Sequence, residues 1–174
     1  MTTDTCAPDS LTRARDISCT VTDPEMPMLT LVDLGVLRDV RQDLDGTIIV
    51  TITPTYSGCP AMATMRADLE RALAAAGYDR VEVRTSLAPA WSSDWITDDG
   101  RRKLKQHGIA PAHVVRAQSS GPIPLTLVRH RPMVQCPQCD SFDTEETSEF
   151  GSTACKSLHR CRCCGEPFDR IKEL

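Results

Sequence analysis

The sequence predicts an α+β domain, a small mixed sheet with packed helices, followed by a small module like a zinc ribbon. Segments with helix and strand periodicity alternate over the first two thirds of the chain. Six of the nine cysteines lie in the last 39 of the 174 residues. A segment that short buries too little apolar surface to fold reliably alone, and a bound metal is the usual remedy. We therefore expect two domains.

The chain is predicted to begin with a helix and a strand. Asp9 or Ser10 can cap a helix over residues 11–20, which ends before Asp23-Pro24. After Gly35, residues 36–41 form a plausible first strand.

Asp45-Gly46 predicts a tight turn between two antiparallel strands, since both central residues of such a turn must tolerate positive φ. The return strand, residues 47–53, is rich in β-branched residues and is apolar on both faces in its middle. A strand of that kind is typical of the buried centre of a sheet.

The rest of the domain is predicted to hold two helices and a third strand. Residues 81–84 alternate in polarity and form a strand beside the hairpin, and a last helix runs over residues 97–107 and is closed by Gly108. Between the hairpin and that strand, a helix over residues 61–76 ends at Gly77. Its apolar face comprises Met62, Met65, Leu69, Leu73 and Ala76.

Composition suggests where the domains meet. We place the α+β domain at residues 9–117, a linker at residues 118–132 and the cysteine module at residues 133–174. The linker is rich in serine, glycine and proline, which is typical of a loop. Residues 125–128 could add an edge strand on either side of that boundary.

Two C-x-x-C pairs predict a metal site in the C-terminal module. The pairs are Cys136 with Cys139 and Cys161 with Cys164, and 21 residues separate them. Each pair puts two thiolates on one turn, and two such turns make the tetrahedral all-sulfur site that zinc prefers. Such a site also accepts iron, as in a rubredoxin-like electron carrier. The alternative is a disulfide framework, but an odd number of cysteines without an export signal argues against it.

Three more side chains of the module are candidates for a role at this site. Cys163 lies inside the second pair, where its side chain should point away from the metal. Cys155 could replace one ligand or serve a separate redox role, and His159 could stand in as a ligand.

Cys59 is the candidate for chemistry in the α+β domain. Gly58 lets the backbone turn sharply, Cys59 takes the helix cap position and Pro60 the first helical position. A thiol there faces unpaired N–H groups and the positive end of the helix dipole, which stabilise a thiolate. It could bind a soft metal, pass on a cluster or act as a nucleophile. The alternative is a buried structural cysteine.

No recognisable catalytic motif occurs, so we expect no catalytic residues and no enzymatic activity. Nucleophilic catalysis needs a base beside the thiolate, and none of the four histidines stands in such a motif. Asp23, Glu25 and Asp33 could do acid–base work or bind a hard cation, but capping and turn formation explain them equally well. No phosphate-binding glycine loop is present in the sequence.

Charge and hydropathy argue against several partners. The formal net charge is −4, so no general attraction to nucleic acid or to an anionic membrane is expected, although the second cysteine pair is locally basic. No run of about twenty apolar residues occurs, so we expect no membrane span. The N-terminus lacks the basic start and apolar stretch of a signal peptide, and we expect a cytoplasmic protein.

Three motifs of the α+β domain resemble the domain shared by SufT and the eukaryotic cytosolic iron–sulfur targeting factors. The motifs are Asp-Pro-Glu-Met-Pro at residues 23–27, Val-Asp-Leu-Gly-Val at residues 32–36 and Thr-Tyr-Ser-Gly-Cys-Pro-Ala at residues 55–61. This resemblance extends over residues 16–89. It implies an iron–sulfur assembly domain.

Later stretches are similar to the PaaD family, the D proteins of the phenylacetyl-CoA epoxidase (ring 1,2-epoxidase) system of aerobic phenylacetate degradation. They are residues 88–95 with residues 105–111, and Phe-Gly-Ser-Thr-Ala-Cys-Lys at residues 150–156. With these, the resemblance covers nearly the whole chain from Asp16 onward. The one small departure is Ala112, where the family pattern has a second proline.

The resemblance implies a set of functional residues. The functional thiol of the family falls on Cys59, and Asp23, Glu25 and Asp33 shape its surroundings together with the motif glycines. The ribbon thiols match Cys136, Cys139, Cys161 and Cys164, with Cys155 as an extra thiol. We therefore expect structural zinc in the ribbon, and a transient iron–sulfur cluster or iron at Cys59.

The resemblance also implies an accessory or maturation protein for the epoxidase rather than its catalyst. Its expected partners are the epoxidase subunits, above all the iron–sulfur reductase subunit, with the di-iron oxygenase subunit as the other client. One thiolate is a poor permanent cluster site, since clusters usually need four protein sulfurs, so handover would require a homodimer, a partner's thiols or a small-molecule thiol. A structural subunit of the oxygenase complex is the alternative, and a nucleic-acid-binding zinc ribbon is a weaker one.

Overall fold

The computed structural model describes residues 9–112 and 133–173. The chain divides into two compact units, residues 1–100 and 101–174. The elements in chain order are α1 (Ser10–Thr20), β1 (Leu37–Gln42), β2 (Ile48–Ile52), α2 (Met62–Ala75), β3 (Val81–Thr85), a short 3-10 helix (Ser93–Trp95), α3 (Asp98–Gln106), β4 (Thr144–Ser148), β5 (Lys156–Cys161) and β6 (Pro167–Ile171). None of the helices within these ranges is long and apolar enough to cross a membrane.

The first unit is built on a three-stranded mixed sheet, as the sequence predicts. β2 lies in the centre, antiparallel to β1 and parallel to β3. Four of its five side chains are at most 1% exposed, which confirms the prediction of a buried central strand: Ile48, Ile49, Val50 and Ile52. α1 packs on β1 and β2, α2 packs on β3, and the two helices contact each other.

The turn between β1 and β2 is wider than the two-residue turn that Asp45-Gly46 predicts. The Asp43 N–H donates to the Thr47 carbonyl at 2.9 Å and so encloses a loop of three residues, 44–46. Gly46 has a φ of +87°, whereas the Asp45 carboxylate accepts a hydrogen bond from the Thr47 N–H at 3.0 Å. A three-residue loop with a left-handed glycine also joins antiparallel strands, so the predicted pairing is retained.

As predicted, Gly77 ends α2, and Thr97 caps the start of α3. After α2, Gly77 has a φ of +93°, and the Tyr78 N–H donates to the Leu73 carbonyl at 3.2 Å. This is the bond pattern of a left-handed glycine cap. At the start of α3, Thr97 Oγ1 accepts a hydrogen bond from the Gly100 N–H at 3.0 Å. The sequence signals for these helix ends are local, which is why they are reliable.

The two units divide earlier in the chain than the domain boundary placed at residue 117. The division lies between Gly100 and Arg101, inside α3. Residues beyond it join the second unit through hydrogen bonds: the Ala110 N–H donates to the Asp169 carbonyl at 2.8 Å, and Ala110 forms a parallel bridge beside β6. Two further predictions, the linker at 118–132 and the edge strand at 125–128, lie outside the described residues.

The second unit is an antiparallel sheet in the order β4-β5-β6. A small core supports it, and this core consists of Ala110, Val134, Cys136, Cys161 and Phe168. Two of these five residues are cysteines of the predicted metal site. The predicted fold class, an α+β domain followed by a cysteine-built ribbon, is confirmed.

Gly35 precedes β1 in a conformation that a side chain would strain. Its φ is +67°, and an added Cβ would lie 2.5 Å from the Cβ of Trp95. We predict that Gly35→Ala lowers the free energy of unfolding of the first unit by about 2 to 4 kcal/mol, because a left-handed backbone and a steric overlap combine. Urea unfolding followed by tryptophan fluorescence measures this, since Trp91 and Trp95 are the two tryptophans of the chain.

Gly77→Ala is the matched control for that prediction. Gly77 also has a positive φ, +93°, but an added Cβ would meet nothing within 4 Å. It should therefore cost only the backbone strain, about 1 kcal/mol. Equal losses in the two variants would contradict the steric explanation for Gly35.

Candidate functional site

The structure brings the four cysteines of the two C-x-x-C pairs into one cluster. The Sγ atoms of Cys136, Cys139, Cys161 and Cys164 all lie within 4.8 Å of one another. Two sulfur–sulfur contacts each join one cysteine of the first pair to one of the second. They are 3.8 Å between Cys136 and Cys164 and 3.5 Å between Cys139 and Cys161.

Each pair of thiols sits on a turn of the same design. In the first turn the Asp140 N–H donates to the Cys136 carbonyl at 3.0 Å, and in the second the Gly165 N–H donates to the Cys161 carbonyl at 3.0 Å. The donor residue has a positive φ in both, +60° at Asp140 and +81° at Gly165. This local geometry aims two thiols at one point, because the chain reverses within four residues of the first cysteine.

The cluster fits a tetrahedral zinc or iron ion. Zinc–sulfur bonds of about 2.3 Å arranged tetrahedrally put the sulfurs roughly 3.8 Å apart. The distances between the pairs, 3.8 Å and 3.5 Å, are close to that value. Four thiols with no competing carboxylate or imidazole in the group are a donor set typical of structural zinc.

The four thiols differ in exposure, and the pKa values of Cys161 and Cys139 are shifted in opposite directions. Cys136 and Cys161 are buried, whereas Cys139 and Cys164 are exposed. The Cys164 N–H, 3.5 Å from the Cys161 sulfur, is the main cause that lowers the pKa of Cys161 to about 7. At Cys139 a hydrogen bond from the Ser141 backbone lowers the pKa, but neighbouring thiols and burial outweigh it and raise the pKa to about 12. One ligand is thus readily deprotonated near neutral pH.

Cys155, Cys163 and His159 lie outside this four-cysteine group among the described residues. Cys155 is buried, and its sulfur lies 3.0 Å from Thr153 Oγ1. Cys163 is exposed. The His159 ring is buried, contacts Ser157 Oγ at 3.0 Å and stacks on Phe168, so its nitrogen is engaged by a hydroxyl of the same strand.

The motif at residues 150–156 forms a loop with a buried charge, a role that sequence reasoning missed. Ser152 Oγ donates to the Asp169 carboxylate at 3.3 Å and accepts from Lys156 Nζ at 3.4 Å. Lys156 is 5% exposed, so the hydroxyl links a buried ammonium to a carboxylate. A Cβ on Gly151 would lie 2.9 Å from that carboxylate, which explains a glycine there.

Cys59 is half-buried, but it does not take the helix cap position predicted for it. α2 begins at Met62, and Ala61 occupies the cap position without a side-chain hydrogen bond. The Met62 N–H donates to the Cys59 carbonyl at 3.4 Å, so a short turn over Pro60 and Ala61 separates the thiol from the helix. The proline has no N–H to give, and the first bond closes over three residues rather than four. Cys59 therefore precedes the helix start by one turn.

The predicted need for glycine at residue 58 is also not met. Gly58 is exposed, its φ lies outside the left-handed region, and a Cβ there would make ordinary contact with the Tyr56 ring at 3.8 Å. The turn is closed instead by the Cys59 N–H, which donates to the Tyr56 carbonyl at 3.1 Å.

Three loops meet at the end of the sheet from which the Cys59 loop leaves. The Thr53 N–H after β2 donates to the Val36 carbonyl before β1 at 2.9 Å, and the Ser86 N–H after β3 donates to the Ile52 carbonyl at 2.9 Å. Leu87, in the third loop, is 62% exposed.

The carboxylates predicted to support Cys59 make turns. Asp23 is buried, and its Oδ1 accepts hydrogen bonds from the backbone of Glu25 at 2.7 Å and Met26 at 2.8 Å. Asp33 is buried as well, and its Oδ2 accepts from the Thr30 N–H at 2.8 Å. Glu25 is exposed, and it is its backbone N–H that takes part in these turns. These contacts support turn formation, one of the explanations open for these acids.

Asp33 has a second role, which the sequence did not reveal. Its carbonyl accepts a hydrogen bond from the Thr97 N–H at 2.9 Å, and Thr97 is the residue that caps α3. A Cβ on Gly100 would lie 2.6 Å from this carbonyl. Beside it, the Trp91 indole N–H donates to the Leu34 carbonyl at 2.8 Å. The turn at residues 30–35 is therefore held by contacts with the later part of the unit.

Sequence reasoning also missed Asp140 and Lys105. Lys105 Nζ lies 2.6 Å from Asp140 Oδ1, immediately after the first pair of thiols. The only signal was the residue after the second cysteine of the pair, an aspartate at the position where Gly165 stands in the other turn.

Two family models match the chain. Residues 19–84 match the model described as iron–sulfur cluster assembly protein, and residues 120–172 match the model described as PaaD zinc beta ribbon domain. A crystal structure of a domain of unknown function, DUF59, from Bacillus anthracis is 25% identical, with a TM-score of 0.50. This match covers 54% of this chain and 90% of that chain.

Curated relatives give the same division. Two proteins named Fe–S protein maturation auxiliary factor, from Porphyromonas gingivalis (strain ATCC BAA-308 / W83) and Bacillus subtilis (strain 168), are 30% and 35% identical over 86 residues. Each match covers 49% of this chain, and 81% and 79% of those proteins. A protein of Escherichia coli (strain K12), provisionally named as the D component of 1,2-phenylacetyl-CoA epoxidase, is 41% identical over 168 residues.

That last match covers 97% of this chain and 96% of the Escherichia coli protein, and so runs through both units. Because this relative is matched over almost the whole length of both chains, and because the C-terminal residues match the PaaD ribbon model, the chain belongs to the PaaD family, the family of the epoxidase D component.

Proposed function

We propose that this protein is a non-catalytic accessory factor that helps to assemble or deliver an iron–sulfur cluster, or the di-iron centre, in the subunits of a phenylacetyl-CoA epoxidase. The observation that carries the proposal is similarity to the epoxidase D component over 97% of the chain, combined with an N-terminal half similar to Fe–S maturation factors. The client we propose first is the iron–sulfur reductase subunit of that system.

The chemistry of the first unit supports transient rather than permanent cargo. Cys59 lies half-buried in a surface loop between exposed Gly58 and Pro60, so an incoming metal or cluster can reach it. One thiolate holds at most one corner of a cluster that normally has four protein sulfurs. The other ligands would come from the client, a second copy of this chain or a small thiol, and that weak hold favours handover.

In the second unit we propose that the four clustered thiols hold one zinc ion. Zinc would tie the two turns together and lend the small core the stability that apolar burial does not supply. With zinc the site has no redox chemistry, so the ribbon would serve as a folded docking module rather than as an electron carrier.

A structural subunit of the oxygenase is the second candidate, because the Escherichia coli relative, the D component, is named as a subunit of the epoxidase. The two functions differ in stoichiometry. A maturation factor acts on many client molecules and leaves, whereas a structural subunit co-purifies with the epoxidase at a fixed ratio through gel filtration.

We predict that Cys59→Ser abolishes client maturation. In cells that depend on this protein for growth on phenylacetate, iron and labile sulfide in the purified reductase subunit should fall at least fivefold, since the cargo loses its one ligand from the assembly unit. Cys19→Ser, which removes an exposed thiol of the same unit, is the control and should leave loading unchanged. Full loading by the Cys59 variant would remove this thiol from the proposal.

We predict one zinc per chain and a metal-dependent second unit. Cys164→Ser should lose the zinc, whereas Cys163→Ser, which changes the adjacent thiol, should keep it, because only Cys164 belongs to the four-sulfur group. Metal analysis of anaerobically purified protein measures both. A red protein with iron in place of zinc would favour the rubredoxin-like alternative, and zinc retained by both variants would contradict the assigned ligand set.

A further inference from the structure

The turn that carries the first two thiols holds an unexpected negative charge. Asp140 follows Cys139 directly and has a φ of +60°. Glycine is the usual residue in that conformation, and the matching position of the second turn is Gly165. Aspartate tolerates the left-handed region better than most residues, but it does so at some conformational cost.

The charge of Asp140 is unfavourable for the metal site. Zinc with four thiolates has two net negative charges, and a carboxylate one residue from a ligand adds to them. Like charges at such short range disfavour each other even with partial solvent screening. Without a compensating positive charge, Asp140 would therefore weaken the binding of a metal ion by the four thiolates.

Lys105 supplies the compensation. Its Nζ lies 2.6 Å from Asp140 Oδ1, and it reaches the turn from the last part of α3. The Gln135 amide donates to the Asp140 carbonyl at 3.1 Å, so both the backbone and the side chain of this residue are held.

A cavity lies beside the first turn. It measures about 250 Å³ and is lined by Arg101 and Lys105 of α3, by residues 110–112 and by Gln135, Cys136 and Pro137. Two cations line it, and no acidic side chain is among these lining residues. The cavity thus brings the side of α3 that carries Arg101 and Lys105 next to the turn of Cys136.

We propose that Lys105 is a positioning residue for the metal centre: it cancels the charge of Asp140, so that the first turn retains its metal. This inference rests on the proposed zinc binding. It adds that the affinity of the ribbon for zinc is set in part by a helix that contains none of the metal ligands.

The test measures zinc affinity of the full chain by competition with a chromogenic chelator. Lys105→Gln should raise the zinc dissociation constant about threefold to tenfold, near the low end for residues that support metal ligands because the pair is half exposed. Lys105→Arg keeps the charge and should stay within about twofold of the unchanged protein. Lys103→Gln removes a charge from the same helical turn and controls for the helix dipole.

A double variant separates charge cancellation from mechanical support. If Lys105 cancels the charge of Asp140, then Asp140→Asn alone does not weaken zinc binding, and Lys105→Gln with Asp140→Asn returns the affinity to the original value. Asparagine suits the positive φ as well as aspartate does. If Lys105→Gln, Asp140→Asn and the double variant all lose the same zinc affinity, the contact supports the turn mechanically and the proposal is wrong.

Salt and the unchanged protein complete the design. At 0.5 M NaCl the zinc dissociation constants of Lys105→Gln and the unchanged protein should differ less, since exposed charges are screened within a few ångströms. An unchanged protein that binds no zinc would overturn the proposed metal site and this inference together. Zinc binding that is intact in the unchanged protein and equal in Lys105→Gln would overturn this inference alone.

Discussion

The four clustered thiols are the constraint on which the second unit depends. Two of them, Cys136 and Cys161, belong to a buried cluster of five residues in the described part of the unit, and the strands around them are five or six residues long. Apolar burial on that scale gives little stability by itself. One turn precedes β4 and the other follows β5, and Thr144 pairs with Cys161, so a single ion between the turns would tie the two strands together at one end of the sheet.

The first unit is held by a different principle, the burial of a central strand. β2 is covered on both faces and pairs with β1 and β3, which sends three loops to one end of the sheet. Asp33 organises that end, because its carboxylate closes the turn before β1 and its carbonyl receives the start of α3. The Cys59 loop is therefore a surface loop carried by a rigid support, an arrangement common to binding sites.

The parts of the fold that the sequence predicted correctly depend on neighbours along the chain. Left-handed glycines end α2 and α3, Thr97 begins α3, and a run of β-branched residues that is apolar on both faces marks the central strand. Errors arose where one hydrogen bond more or less decides the outcome. The cap assigned to Cys59 failed because the Met62 N–H bonds over three residues, and the two-residue turn at Asp45-Gly46 failed because Asp43 and Thr47 pair instead. Propensity does not resolve such near-equal alternatives.

The sequence by itself determined the family, the order of the two units and the four cysteines that can meet, because paired thiols on tight turns are a local pattern. Only the tertiary structure decided that Cys155 lies outside the cluster and that Lys105 reaches Asp140. It also decided that the carboxylates of Asp23 and Asp33 accept backbone hydrogen bonds in turns. Lys105 and Asp140 are 35 residues apart in the chain. Contacts of that kind exist only once helix and sheet have packed, and no pattern of neighbouring residues encodes them.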